Sequence, residues 1–169
     1  MASLLLGSLL MVALAINPAS SKLVLEEGYT VSTVIDFNKF SSPPANRVHP
    51  YAIVPLLSSR DLVLLDSTGS TFYTLSFPSS EDKEAEIKHL SGNDKAEFLD
   101  GDAKVSSFNK PKSFAVDEAG NVYVADRMNY VIRKINRSGF TTTIAGGYSR
   151  KIGITDGPAQ NASFANDFE

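Results

Sequence analysis

An internal repeat restricts what this chain can fold into more than any other feature of its sequence. The segment HPYAIVP (His49 to Pro55) lies over KPKSFAV (Lys110 to Val116), and DLVLLDS (Asp61 to Ser67) lies over NVYVADR (Asn121 to Arg127), which places Asp66 on Asp126. TFYTLSF from Thr71 then falls on VIRKINR from Val131, and HLSG (His89 to Gly92) on TIAG (Thr143 to Gly146). Last, DGDAKVSSF (Asp100 to Phe108) meets DGPAQNASF (Asp156 to Phe164). Matches in constant order, at offsets of 54 to 61 residues, mark a repeat architecture. In such a chain each unit buries its apolar faces against its neighbours.

Each unit contains four β-prone runs. In the second copy they are Ser113 to Val116, Val122 to Ala125, Val131 to Ile135 and Phe140 to Ile144, separated by DEAGN, DRMNY and NRSG. Those separators have turn composition, with Gly or Asn able to take positive φ. Side chains alternate between the two faces of a strand, so Val122 and Val124 point one way and Tyr123 and Ala125 the other. A sheet apolar on both faces has to be sandwiched. The reading is an all-β fold of four-stranded antiparallel blades, the unit of a β-propeller.

The residues themselves carry a resemblance. KPKSFAVDEAGNVYVADRMNYVIRKINRSGFTTTIAGG, followed by DGPAQNASF, resembles an NHL repeat, the unit of NHL-type β-propellers. The match covers the whole second unit and extends more loosely over the first, where Ser67 to Ser70 replaces the usual polar turn and SSEDKEAE is inserted. With its leader-like N-terminus and an EEGYTVSTVID strand ahead of the blades, the layout is similar to plant secreted or membrane-associated NHL-domain proteins. The expected organisation is a signal peptide at 1–21, an N-terminal strand and linker at 22–48, a first unit at 49–109 and a second at 110–167. Gly28 to Asp36 parallels GFTTTIAG from Gly139 and is expected to be the outer strand of a further blade. Asp167 aligns with Pro111, where a third unit would begin. Two blades cannot close a ring that typically has four to eight. The sequence therefore reads as part of a larger propeller, with a short form that pairs with other chains as the alternative.

The resemblance implies a non-enzymatic scaffold that binds a protein, peptide or cell-wall ligand on the loop-bearing face. Two rival readings come with it, because some relatives are lyases or hydrolases with a metal in the central channel and others grip RNA on a basic face.

Composition bears on these readings. Leu4 to Ile16 is apolar apart from Gly7 and Ser8, too short for a membrane-spanning helix, which needs about 20 residues. It fits the core of a secretory leader, with Ala19 and Ser21 at the −3 and −1 positions of a cut before Lys22, although no Lys or Arg precedes it. Secretion follows as the expected location. The chain has no Cys, hence no thiolate chemistry, and Asn136 and Asn161 open Asn-x-Ser triplets that would accept glycans in the secretory pathway. A net charge of −3 gives no general attraction to nucleic acid.

The residues with chemical potential read mostly as structural. Asp126, with Asn129 three residues on, ends a strand, and Asp66 holds the same place in the first unit. An active site is built once per ring, so a carboxylate that recurs in each unit is expected to accept backbone N–H groups of its turn. Arg127, Arg133 and Lys134, with Arg137, Arg150 and Lys151 nearby, are candidate ligand-facing cations; the competing reading is a solvated strand edge. Tyr130 and Tyr148, the aromatics near them, are expected to pack rather than stack on bases. His49 and His89 have no partner at metal-ligand spacing, and the acidic stretch Ser79 to Asp102 lacks the order of a calcium loop. No catalytic residue, metal or cofactor is expected.

Overall fold

In a computed structural model of the chain, residues 33, 35–37, 48–57, 59–66, 68, 70–77, 85–147 and 150–168 are described. The leader, its cleavage point, most of the 22–48 segment, the inserted loop at 78–84 and Tyr148 lie outside them.

The described chain is all-β, a partial β-propeller of two four-stranded blades. The first holds β1 (Pro50–Pro55), β2 (Leu62–Asp66), β3 (Thr71–Ser76) and β4 (Glu86–Ser91) in that spatial order. The second holds β5 (Ser113–Val116), β6 (Val122–Asp126), β7 (Val131–Ile135) and β8 (Thr141–Ala145). All neighbouring pairs are antiparallel. The register confirms the internal alignment, since Leu64 pairs with Tyr73 as Val124 pairs with Arg133.

The last strand starts one residue later than the sequence pattern suggests, and the cause is local. Asn136 Oδ1 accepts the N–H groups of Ser138 (2.9 Å) and Phe140 (3.0 Å), which draws Phe140 into the turn before β8.

In the first blade, apolar residues on both faces of the sheet have covers. Val63, Leu65, Phe72 and Leu90 of the first blade meet Phe108, Val122, Val124 and Ile135 in one cluster. Phe72 makes edge contacts with Phe108 and Phe114 at centroid distances of 5.2 and 5.5 Å. The other face of the first blade forms a second cluster, in which Leu62, Leu75 and Ala85 pack with Ile35, Ile53, Phe77 and Ile87.

Between the blades, residues 92–109 form a strap that runs along the outer edge of the second. Gly101 and Thr141 exchange both backbone hydrogen bonds (3.0 and 2.8 Å), and Asp100 Oδ2 accepts the Thr143 N–H (2.9 Å). An edge strand that would otherwise offer its N–H groups to other sheets is thereby closed. Ser91, Ser106 and Thr141 add a buried chain of hydroxyls, 2.8 and 2.7 Å apart, that ties β4, strap and β8 together.

At Gly139 the second blade comes close to Leu90 of the first. Its φ is +85°, and a Cβ there would strike the Leu90 carbonyl oxygen and the Ala103 side chain. Gly139→Ala is expected to lose about 2 kcal/mol or more of unfolding free energy, from left-handed strain plus the clash. Urea unfolding measures it; a loss below about 0.5 kcal/mol, the range of neutral surface changes, would show that the blades can separate there at little cost.

Candidate functional site

A dense polar cluster is built on Asp126, at the end of β6. A one-turn 3-10 helix, Arg127–Asn129, follows, and Tyr130 closes it in the left-handed region at φ 55°. Asp126 Oδ1 accepts the backbone N–H of Asn109 (2.8 Å), while Oδ2 accepts Asn129 Nδ2 and Arg133 Nη1, both at 2.8 Å. The Asp126 and Arg133 side chains are both fully buried.

Arg133 reaches far in sequence. Its Nε and Nη2 approach Asp100 Oδ1 at 3.0 and 2.8 Å, Nη1 donates to Ser107 O (3.0 Å), and Nη2 donates to Leu99 O (2.7 Å). Phe98 and Phe108 lie against the guanidinium, each ring centroid 4.9 Å from Cζ. The cation is thus hydrogen-bonded at all three nitrogens and packed on aromatic rings, the setting in which a buried Arg is tolerated.

These contacts correct the readings of Arg133. It neither faces a ligand nor forms a solvated strand edge: it joins the second blade to the strap. The role of Asp126 is also more specific than a turn acceptor, because its backbone donor, Asn109, belongs to the strap. Asp66 does serve its own turn, accepting the N–H and Oγ1 of Thr68, both at 2.8 Å. Burial holds the Asp126 carboxyl above its usual range, while Asn129, the Asn109 N–H and Arg133 pull it down.

The remaining sequence candidates are scattered. Arg127 donates from Nε to Asn166 O (2.8 Å). Lys134 Nζ stands 5.6 Å from the Tyr123 ring centroid, on the face of the second blade turned away from the first. Asn136 is occupied in its turn through Oδ1, and Asn161 is exposed. His49 Nδ1 shares a hydrogen bond with Thr68 Oγ1 (3.3 Å), and His89 Nε2 lies 2.6 Å from Gly92 O. Among the described residues no three His, Asp or Glu side chains group to hold a metal ion, and no helix is long and apolar enough to cross a membrane.

Tyr73 occupies in the first blade the position of Arg133 in the second. Desolvation, with Asp94 and Asp66 nearby, pushes its phenol up to about 12. The folded chain therefore keeps a proton that the unfolded chain releases near the ordinary tyrosine value of about 10. A raised group contributes stability below the unfolded value and loses it as pH rises through the folded one. Stability is expected to fall between pH 10 and about 12. Tyr73→Phe should flatten part of that slope in urea midpoints measured across the window; an unchanged slope would assign it to other groups.

Sequence reasoning did not find a cleft, among the described residues, that has the dimensions of a ligand site. It holds about 320 Å3 between the blades, at the end that carries the β1–β2, β5–β6 and β7–β8 turns. Val63, Leu90 and Val122 line its floor; Ser59, Asp61, Thr74 and Arg137 supply polar groups. Ligand clefts commonly span about 300–1,000 Å3, and this one is lined by four aliphatic and four polar side chains with Gly120. Its lining residues come from both blades, so only their packing brings them together.

No family model matches the chain, and no curated protein matches it significantly. Among solved structures it is similar to a structural genomics protein of unknown function from Bacteroides thetaiotaomicron VPI-5482, at 24% identity and a TM-score of 0.57, over 73% of this chain and 30% of that one. It is also similar to an auxiliary nutrient binding protein from the same organism (21% identity, TM-score 0.59, 68% of this chain and 30% of that one). A further similar structure is an auxiliary nutrient binding protein from Bacteroides ovatus ATCC 8483 (19% identity, TM-score 0.58, 73% and 31%). The chain spans less than a third of the length of each. At these identities the likeness concerns the fold.

Proposed function

We propose that this chain is a non-enzymatic scaffold of the NHL-repeat propeller type, secreted, that binds a peptide or protein segment; a cell-wall saccharide is the alternative ligand. The inter-blade cleft carries the reading. Its aliphatic floor suits a small apolar side chain, and the hydroxyls of Ser59 and Thr74 with Asp61 and Arg137 suit the amide groups of an extended backbone. Two of the similar folds are named as nutrient binding proteins, which agrees with a ligand-binding use of this architecture.

The test is amide-shift mapping of the chain from Lys22 against a library of short peptides and a set of cell-wall oligosaccharides. Saturable shifts at Ser59, Thr74 and Gly120 that vanish in Thr74→Arg support the cleft. Shifts elsewhere, or shifts insensitive to Thr74→Arg, overturn it. Stoichiometric zinc or calcium surviving dialysis would turn the reading toward a propeller enzyme. Steeply salt-dependent retention on a polyanion column would turn it toward RNA.

A further inference from the structure

The strap that follows β4 has a counterpart after β8 with the same internal hydrogen bonds. In the first, Gly92 N donates to Ala103 O (2.9 Å), Ser107 N donates to Leu99 O (3.0 Å), and Ala96 bridges Phe108 in parallel. In the second, Gly146 N donates to Ala159 O (2.8 Å), Ser163 N donates to Thr155 O (3.0 Å), and Ile152 bridges Phe164 in parallel. The paired hydrogen bonds fall at corresponding places in the repeat. The local fold of the strap is therefore set by its own backbone, in two copies.

The first copy shows what such a strap holds. Leu99 O, Ser107 O and the Asp100 carboxylate take the Arg133 guanidinium, with Phe108 packed against it. Thr155 O, Ser163 O, Asp156 and Phe164 are the corresponding groups of the second. Asp156 is exposed, and Ser163 and Phe164 are half-buried where Ser107 and Phe108 are buried. A matching asymmetry exists on the sheet beside them. Tyr123 and Ile132 are half-buried at the positions where Val63 and Phe72, in the first blade, are buried against the second.

We infer that residues 150–168 are a docking strap for a further four-stranded blade, and that Thr155 O, Asp156 and Ser163 O are its receptor for an arginine. Two carbonyls held by the strap's own hydrogen bonds, with the Asp156 carboxylate beside them, match the fork of a guanidinium, and preorganised acceptors bind with little ordering cost. The occupant is specified further. Its arginine stands seven residues after an aspartate, as Arg133 stands after Asp126. A second copy of this chain cannot supply it: its first blade has Tyr73 at that position, and Arg133 of its second blade is already bonded at all three nitrogens.

The test adds a second copy of residues 114–168 after Glu169 of the full chain, which keeps the repeat in register because Glu169 aligns with Ser113, so that the added blade carries both Asp and Arg. Amide exchange at Ser163 and Tyr123 is expected to slow about tenfold or more on docking. Asp156→Asn in the strap, or Arg133→Met in the added copy alone, should each remove most of that protection, and the two together no more than either alone. In the unextended chain Asp156→Asn should leave the thermal midpoint unchanged. A probe independent of the added blade's folding is methylguanidinium, titrated on the unextended chain against tetramethylammonium. Saturable shifts at Asp156 and Ser163, seen with methylguanidinium alone and lost in Asp156→Asn, support the receptor. Equal responses to the two cations, or protection in the fusion that ignores both substitutions, overturn it.

Discussion

Arg133→Met lowers the unfolding free energy by about 3–5 kcal/mol, the cost of removing one partner from a buried ion pair. The size follows from what is left behind. Asp126 stays fully buried, still bonded to Asn129 and the Asn109 N–H, with no cation beside it. Ser107 O loses its guanidinium donor, and Leu99 O keeps only the Ser107 N–H. The pH dependence separates this account from a simple loss of packing. Burial already holds the Asp126 carboxyl above its usual range, and losing Arg133 raises it further. A carboxyl whose folded value is raised contributes stability at low pH and loses it as pH rises through that value. The deficit of Arg133→Met is therefore smallest in acid and grows toward neutrality. Adding Asp126→Asn recovers part of it at pH 7, because the neutral amide removes the unpaired charge. Urea unfolding at pH 4.5 and 7, rough settings on either side of a raised carboxyl, reads both effects. A deficit below about 1 kcal/mol would instead describe a solvent-screened surface pair.

Phe108→Ala costs a similar amount, about 3–5 kcal/mol, by the measured range for emptying a buried aromatic site. Phe108 is fully buried, edge-on to Phe72 of the first blade and against Arg133 of the second. The ring thus belongs to the packing between blades and to the seat of the guanidinium at once. Amide exchange should therefore quicken in β2 and in β6 together, while Phe108→Leu, which keeps most of the volume, costs about 1–2 kcal/mol. Faster exchange confined to β6 would mean that the strap, and not the blade interface, depends on the ring.

The strands were legible because their signals are local. Val122 to Ala125 and Val131 to Ile135 are short runs rich in β-branched and aromatic residues between turn-forming stretches, and β5 and β7 occur where such runs are read. The repeat also placed Asp66 and Asp126 at equivalent strand ends. Arg133 was misread because Arg-Lys in a strand has the composition of an exposed edge. Its phase held the better signal: Arg133 lies between Val131 and Ile135 on the same face, and both neighbours are fully buried. A cation in phase with two core residues needs buried acceptors.

From the sequence alone came the all-β class, the four-strand unit and the order of its turns, all consequences of period-two alternation and turn chemistry over a few residues. Tertiary structure alone decided which acceptors Arg133 would find, since Asp100, Leu99 and Ser107 stand 26 to 34 residues away. The cleft between Asp61 and Arg137 arises the same way, from two blades meeting. The physical reason is common to both: a hydrogen bond or cavity between distant segments depends on how sheets pack, and packing leaves no periodic trace in the chain.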